Sequence, residues 1–348
     1  MKLAGLFSSP AASTASSSSS LLGKLFKPAL GAALSLATAA AMAAPTNMKI
    51  ATVVWIGYGP FYVAESLDLF KKYNLKVSLQ VFTDPALIPP AIASGAVDGG
   101  MLTYDQVVGQ VAAGKSMKVV MPIDYSNGGD AIVADASIKS VKDFKGKKIG
   151  YNPLSPSDFL LSYALKVNGL TEKDISPVSM TPEAVPAAMA SGQLPIGVTY
   201  EPSLSQVLGQ GGGKKFKVVF SSKDAPGLIA DVLVFDDKAI KAKPTEITGI
   251  IKAYLDGMAY MKAKPDDAAK IIGKFMGVSA KEAKEQMSGV YNIPLAEMPK
   301  AFLPAKETTS YYASGDVIGQ LLKAKGQISA VPATEATMDA SLVKALAK

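Results

Sequence analysis

An internal repeat constrains the fold of this chain more than any other feature of its sequence. Ile-Pro-Pro-Ala-Ile-Ala-Ser-Gly at 88–95 is matched by Val-Pro-Ala-Ala-Met-Ala-Ser-Gly at 185–192, and the offset of 97 residues holds into the next strand. After one residue of slippage, Thr-Tyr-Asp at 103–105 matches Thr-Tyr-Glu at 199–201. Each copy has the pattern of a helix, a Ser-Gly turn, a short strand and a Thr-Tyr-carboxylate end. We expect two related lobes, each with its own sheet; the alternative is chance similarity in an Ala-rich chain.

Short apolar strands alternate with helical segments along most of the chain. Lys49–Val54 is apolar and β-branched, and Pro60 then opens a helix whose Val63, Leu67 and Phe70 recur at the spacing of one packed face. This alternation is typical of an α/β protein with crossover helices, and from Thr245 onward the pattern is nearly all helical. Further strands are predicted at Val77–Val81, Val97–Leu102, Lys118–Ile123, Ala131–Ala134, Lys148–Tyr151, Pro177–Met180, Ile196–Thr199, Lys217–Phe220 and Val232–Phe235.

The first 43 residues have the pattern of a signal peptide. They contain lysines but no acidic residue, a Ser/Ala tract, the apolar stretch 29–40 and the small-residue end Ala41-Met42-Ala43. We predict cleavage after Ala43 and a soluble periplasmic protein. The alternative is an N-terminal membrane anchor, although the apolar stretch is shorter than the roughly 20 residues of a spanning helix.

Three residue types are missing from the sequence, and each absence excludes a class of site. Without Cys there is no disulfide, no thiol nucleophile and no lipid-anchor cysteine; without Cys or His there is no zinc, copper or haem site of the usual kinds. Catalysis by Ser-His-Asp or Cys-His is also excluded. Without Arg, an anion must be held by backbone N–H groups, hydroxyls or Lys. The net charge of +7 includes no basic run, so no nucleic-acid partner is expected.

Two segments at predicted strand ends have the composition of a binding site. In Trp55–Phe61, two glycines allow close approach of a ligand, while Trp55 and Tyr58 offer ring faces; the alternative is that Trp55 is a core residue. Asp124–Asp130 combines glycines with hydroxyl and carboxylate groups, as a hinge and cleft wall require, although it fits a plain loop equally well.

Two further segments fit either a ligand contact or a local structural role. Asn152–Ser157 precedes a helix, where Ser155 and Ser157 suit either an anion site or simple N-capping. Glu201 ends the second repeat copy, where it is either an acceptor for a ligand amine or amide or a solvated surface residue.

In their order along the chain, these pieces resemble the substrate-binding proteins of sulfonate, taurine, nitrate and thiamine-precursor importers. The matching features are Trp-x-Gly-x-x-Pro at 55–60, Ser-Gly-x-x-Asp-Gly at 94–99, the 124–130 segment, Val-Lys-Asp-Phe-Lys-Gly-Lys at 141–147 and Tyr-Glu-Pro at 200–202. The resemblance implies a periplasmic binding protein fold of type II, with two α/β lobes, a central mixed sheet in each and two hinge crossovers. The predicted bounds are 48–129 plus 233–348 for lobe one and 130–232 for lobe two.

The resemblance also implies a function and a set of contacts. We expect a monomeric ABC-importer component that captures a small polar organic solute by hinge closure, either taurine- or sulfonate-like or an aminopyrimidine thiamine precursor. No cofactor, metal or catalytic residue is expected, because the His and Cys used by one enzymatic branch of the wider family are missing. A ligand sensor on a membrane receptor and, less favoured, a carboxylate-dependent enzyme are the alternatives. The implied ligand-binding residues are Trp55, Tyr58, Tyr104, Asp105, Asp124, Ser126, Asn152, Ser157, Tyr200 and Glu201.

Overall fold

The computed structural model describes residues 44–348, so the predicted signal peptide at 1–43 lies outside the described residues. Every strand predicted from the sequence is present, with shifts of a few residues at the ends, and one additional short strand lies within the mainly helical C-terminal region. Within the described part of the chain the strands are β1 (Thr46–Thr52), β2 (Leu75–Val81), β3 (Gly99–Thr103), β4 (Lys118–Ser126), β5 (Asp130–Asp135), β6 (Lys148–Tyr151), β7 (Ser176–Ser179), β8 (Ile196–Tyr200), β9 (Phe216–Ser221), β10 (Ala230–Phe235) and β11 (Val290–Asn292).

The helices begin and end at residues whose chemistry suits those positions. Ser155 accepts a hydrogen bond from the backbone N–H of Ser157 at the start of the helix that ends at Val167, and Ser279 forms a capping box with Glu282. Among residues 44–348 the helices are α1 (Gly59–Ser66), α2 (Ile88–Ala93), α3 (Tyr104–Ala112), α4 (Pro156–Val167), α5 (Val185–Ala190), α6 (Ser203–Leu208), α7 (Asp237–Ala242), α8 (Pro244–Ala263), α9 (Pro265–Met276), α10 (Ala280–Gln286), α11 (Met298–Ala301), α12 (Tyr311–Ala324) and α13 (Ser341–Leu346). None of these helices has the length and apolar character needed to cross a membrane.

Two mixed sheets organise the molecule, as predicted, and five strands of the first sheet have the same order as the five strands of the second. The first has the order β11-β4-β10-β3-β1-β2, and the second has the order β7-β6-β8-β5-β9. In the first, β1 is parallel to β2 and β3, while β10 is antiparallel to β3 and β4. In the second, β6 is parallel to β7 and β8, while β5 is antiparallel to β8 and β9. The five strands β2-β1-β3-β10-β4 therefore have the order and directions of β7-β6-β8-β5-β9.

The internal repeat corresponds to equivalent positions in the two sheets. A Cβ on Gly100 of β3 would lie 3.0 Å from side-chain atoms of Ile88 on α2. A Cβ on Gly197 of β8 would lie 2.4 Å from the side chain of Val185 on α5. These pairs are the residues that the repeat aligns, so each glycine is needed where a helix packs directly on its strand. Chance similarity is therefore a poor account of the repeat.

The chain passes between the two sheets twice. It leaves the first sheet after Ser126 and enters the second at Asp130; it returns between Ser221 at the end of β9 and Ala230 at the start of β10. Strand β10 thus begins a few residues before the predicted lobe bound at 233. Strands β5 and β10, each of which runs antiparallel to both of its neighbours, are the strands that directly follow a passage. The extent of each lobe as a separately moving body stays a prediction.

Candidate functional site

A narrow cleft lies between the strand ends of the two sheets. Residues from both sheets form its walls, so its shape depends on how the two sheets approach each other. Its lining residues are Val53, Trp55, Tyr58, Pro85, Ile88, Met101, Leu102, Thr103, Gln106, Asp130, Pro156, Tyr200 and Asp231.

Two carboxylates in this cleft occupy equivalent positions in the two sheets. Asp231 on β10 pairs with Thr103 at the end of β3, and Asp130 on β5 pairs with Tyr200 at the end of β8. Each acid lies three residues before the strand position that pairs with the repeat-matched Gly100 or Gly197, so the two acids are equivalent in the register of the two sheets. Asp130 is 4% exposed and Asp231 is 5% exposed.

Neither acid is among the ligand-binding residues predicted from the sequence, although Asp130 ends the candidate segment 124–130 and the sequence contains a signal for both. Asp-Ala-Ile-Val-Ala-Asp at 130–135 resembles Asp-Val-Leu-Val-Phe-Asp at 231–236. In each case a carboxylate opens an otherwise apolar strand, where an acid is costly to bury and needs a reason to be there. Comparison of these two strands would have identified both positions.

Burial favours the neutral, protonated form of the acids in and behind the cleft. Desolvation raises the pKa of Asp130 to about 7 and, against the Trp55 hydrogen bond, raises the pKa of Asp124 to about 8. The pKa of Asp231 is also raised, first by burial and then by repulsion from Asp124, which lies directly opposite it on β4. None of the described Lys residues forms an ion pair with these three acids. The site is therefore acidic without an internal counter-ion.

The loop after β1 places Trp55 and Tyr58 against these acids. The Nε1 of Trp55 donates to both carboxylate oxygens of Asp124, at 3.3 and 3.4 Å, and the Tyr58 hydroxyl donates to Asp231. A Cβ on Gly57 would lie 2.1 Å from an Asp124 oxygen, so only glycine leaves room for this contact. Both aromatic side chains line the cleft and are almost fully buried. Trp55 is therefore a core residue and a cleft-lining residue at the same time.

The second sheet contributes polar groups that lack partners. The Tyr200 hydroxyl, the Asn152 side-chain carbonyl and the Ser157 hydroxyl are buried without a hydrogen-bond partner among the described residues. The Tyr200 ring meets Trp55 edge-to-face, with ring centroids 5.8 Å apart. Of these three residues, only Tyr200 belongs to the cleft lining. Buried polar groups are nearly always paired, so such atoms beside a cleft are candidates for ligand contacts.

Ser126 belongs to the passages between the sheets. Its hydroxyl lies 2.8 Å from that of Ser222, and it accepts a hydrogen bond from the backbone N–H of Asp130. Ser222 also accepts from the backbone N–H of Gly128 at 2.6 Å. Because Ser222 lies on the second passage, these bonds tie the two passages together beside the cleft.

The remaining predicted residues have internal partners. The Tyr104 hydroxyl lies 2.8 Å from that of Thr337, and the ring packs on Tyr311. Asp105 lines a neighbouring space of about 900 Å³ between α3, α4 and α12, where burial raises its pKa to about 6. Glu201 accepts hydrogen bonds from the backbone and the hydroxyl of Ser205 at 3.1 and 2.9 Å. Their contacts with a ligand stay predictions.

Residues 55–268, well over half of the chain, match the profile of the NMT1/THI5-like family. The chain belongs to the NMT1/THI5-like family. The family resemblance inferred from the sequence is therefore confirmed.

Relatives of the family have the same fold. An Escherichia coli protein named as an aliphatic sulfonates-binding protein is 25% identical over 260 residues, which are 74% of this chain and 80% of that protein. A Brucella abortus protein named as a binding protein is 22% identical over 238 residues, 68% of this chain and 74% of that protein. The crystal structure of the periplasmic aliphatic sulphonate binding protein SsuA from E. coli superposes with a TM-score of 0.69 at 20% identity, covering 86% of this chain and all of that one. The predicted periplasmic binding protein fold is confirmed.

One solved structure with this fold is named as an enzyme. The desulfurization enzyme DSZB superposes with a TM-score of 0.61 at 10% identity, covering 86% of this chain and 98% of that one. The fold therefore does not by itself separate binding from catalysis.

Proposed function

We propose that this protein is the periplasmic solute-binding component of an ABC importer and that it captures a small polar organic solute in the cleft between its sheets. One observation carries the proposal: the cleft is lined from both sheets by equivalent strand ends, so a ligand can bridge the two. Ligands of open α/β sheets bind beyond the carboxyl ends of strands, which agrees with this location. The names of the sulfonate-, taurine- and thiamine-related relatives support the same class of role.

The solute class in this proposal is taurine- or sulfonate-like or an aminopyrimidine. The proposed contacts are the cleft-lining Trp55, Tyr58 and Tyr200, together with the acids Asp130 and Asp231. Closure around the solute at the two passages would expel water and strengthen every polar contact that it makes. A permease that accepts the closed form is the proposed partner.

A binding screen with chemical analysis of the bound compound tests the proposal. The melting temperature of the purified protein is measured with taurine, alkanesulfonates, nitrate, small amines and aminopyrimidines. Calorimetry then gives the dissociation constant of each compound that raises the melting temperature. A ligand at 100 times its dissociation constant adds about 2.7 kcal/mol to the free energy of unfolding. Mass spectrometry should then recover the compound unchanged at one equivalent per chain. Turnover of the compound would support the enzyme alternative instead.

The importer role needs a second test, because a sensor would pass the first. Neighbouring permease and ATPase genes are expected, and the ligand-loaded protein should stimulate the ATPase activity of that transporter in proteoliposomes. Stimulation by the loaded protein but not by free solute is the expected result. A loaded protein that leaves the ATPase rate unchanged would favour the sensor.

A further inference from the structure

Resting on the proposed solute-binding role, we propose that the ligand has a positively charged nitrogen group, an ammonium or amidinium, that is held between Asp130 and Asp231. The two carboxylates come from different sheets, and both line the same cleft. A cationic group between them would therefore bind both sheets at once. This makes the charged end of the ligand the part that favours the closed form.

The symmetry of the two acids argues that they act together. Their positions are equivalent in the register of the two sheets, since each lies three residues before the position that pairs with the repeat-matched Gly100 or Gly197. Each is at least nine-tenths buried. A buried carboxylate is stabilised by an opposite charge, and none of the described Lys residues supplies one here. The group that neutralises them in the loaded protein is then the ligand itself.

The Tyr200 hydroxyl is an independent observation that points to a ligand. It is buried without a partner among the described residues, and Tyr200 is 4% exposed and lines the cleft beside Asp130. A phenolic oxygen can accept a hydrogen bond from an N–H group. An ammonium or amidinium has several N–H donors, so it can satisfy this oxygen and both carboxylates together.

A wholly anionic ligand fits this cleft poorly. It would lie against carboxylates, whose pKa values would rise further as it bound. The whole chain contains no Arg, and none of the described residues that line the cleft is Lys. The rings of Trp55 and Tyr200 add a surface that attracts cations. Taurine meets the requirement through its ammonium group, whereas an alkanesulfonate or nitrate does not.

Matched compounds test the proposal directly. Calorimetry at pH 8 compares taurine with ethanesulfonate, benzylammonium with benzyl alcohol, benzamidinium with benzamide, and agmatine with butanol, with nitrate, 4-aminopyrimidine and calcium chloride as further arms. At least one compound with a cationic nitrogen should bind at least ~10-fold more tightly than its counterpart. Tight binding of ethanesulfonate or nitrate, or of Ca²⁺ in preference to every organic cation, would overturn the proposal and leave solute binding intact. Binding of no compound at all would count against the proposed function as well.

Two substitutions assign the effect to the named acids. Asp130→Asn and Asp231→Asn should each weaken the cationic ligand by ~10-fold or more while the melting temperature of the free protein stays the same or rises. Asp316→Asn removes one charge from an exposed position on α12 and should change neither quantity. Unchanged affinity in both cleft variants would contradict the proposal. If one of them fails to fold, the other variant and the corresponding Asp→Glu substitution decide the outcome.

Discussion

At the scale of single residues, the unusual feature of this protein is a group of buried acids without a cation. Asp124 and Asp231 face each other across β4 and β10, and Trp55 and Tyr58 donate to them. Burial favours the neutral form of a carboxyl, so the folded protein retains protons that the unfolded chain would release. Such a site costs stability when it is empty and charged, and a ligand with hydrogen-bond donors reduces that cost.

The raised pKa of Asp124 predicts an inverted pH dependence of stability. Its pKa is about 8 in the folded protein against a reference value of 3.8, so the native state holds more protons between these values. Stability should fall as pH rises through this window. The stability advantage of Asp124→Asn over the unsubstituted protein should grow by about 1–3 kcal/mol between pH 5 and pH 9 in urea unfolding.

Control measurements separate this effect from the surface charges. The groups that face Asp124 include Trp55, Tyr58, Tyr254, Asp130 and Asp231, none of which adds a positive charge. Asp316→Asn should show the same pH profile as the unsubstituted protein. An equal gain for Asp124→Asn at both pH values would mean that its carboxyl is not neutral at low pH.

Glu201 illustrates how one residue can have a structural and a proposed binding role. Because both oxygens accept from Ser205 in α6, Glu201→Ala should lower the free energy of unfolding by about 1 kcal/mol, as the loss of a helix cap does. Glu201→Gln keeps one acceptor and should lose less. If the predicted ligand contact exists, calorimetry on Glu201→Ala should also show about tenfold to hundredfold weaker binding. A stability loss with unchanged affinity would leave only the cap.

At the scale of elements, a buried ion-pair cluster joins two helices that lie on different sheets. Lys325, which follows α12, forms ion pairs with Asp158 in the first turn of α4 and with Glu172, and it donates to Ser162 at 2.6 Å. The Lys325 side chain is 10% exposed and that of Asp158 is 6% exposed. The contact lies in the space next to the ligand cleft, where it can stabilise the approach of the two sheets.

Substitution of Lys325 should therefore be costly. Lys325→Met leaves Asp158 buried without its counter-ion, and removal of one partner from a buried pair typically costs about 3–5 kcal/mol. Urea unfolding should show this loss. Lys323→Met, two residues earlier on an exposed part of α12, is the matched control and should change stability by less than about 0.5 kcal/mol. Equal effects in the two variants would mean that the cluster is weakly coupled to folding.

At the scale of the whole molecule, the two passages between the sheets are the places where relative motion is expected. Ser222 bonds Ser126 and Gly128 across these passages, which links the two passages to each other beside the cleft. Gly128 has a φ of 106°, which an L side chain rarely adopts. We predict that the two passages act as a short, hydrogen-bonded hinge next to the cleft.

Hinge closure predicts a change in shape on binding. Small-angle X-ray scattering should give a smaller radius of gyration with saturating ligand than without it. After the ligand is removed, the scattering profile should return to that of the ligand-free protein. Because Trp55 is the only tryptophan and meets Tyr200 of the other sheet, its fluorescence should change over the same ligand concentrations. Identical scattering with and without ligand would contradict closure by hinge motion.

The sequence by itself determined the local elements and their duplication. Alternating apolar residues, caps such as Ser155 and Ser279, and the 97-residue repeat depend on neighbouring residues, so they can be identified along the chain. The order of the motifs was also enough to identify the family. Trp55, Tyr58 and Tyr200 were predicted to be in the site because they lie at strand ends, where α/β proteins bind ligands, and all three line the cleft.

Only the tertiary structure decided which polar groups meet. Asp130 and Asp231 are 101 positions apart, and although their strands resemble each other in sequence, only the packing of the two sheets brings both carboxylates to one cleft. Tyr104 matches the repeat as well as Tyr200 does, yet its hydroxyl is paired with Thr337 from the C-terminal region. Whether a strand-end side chain stays free for a ligand depends on partners that are distant in sequence. The sequence specifies which hydrogen-bonding groups are present, whereas the packing of distant segments decides which of them are left without a partner.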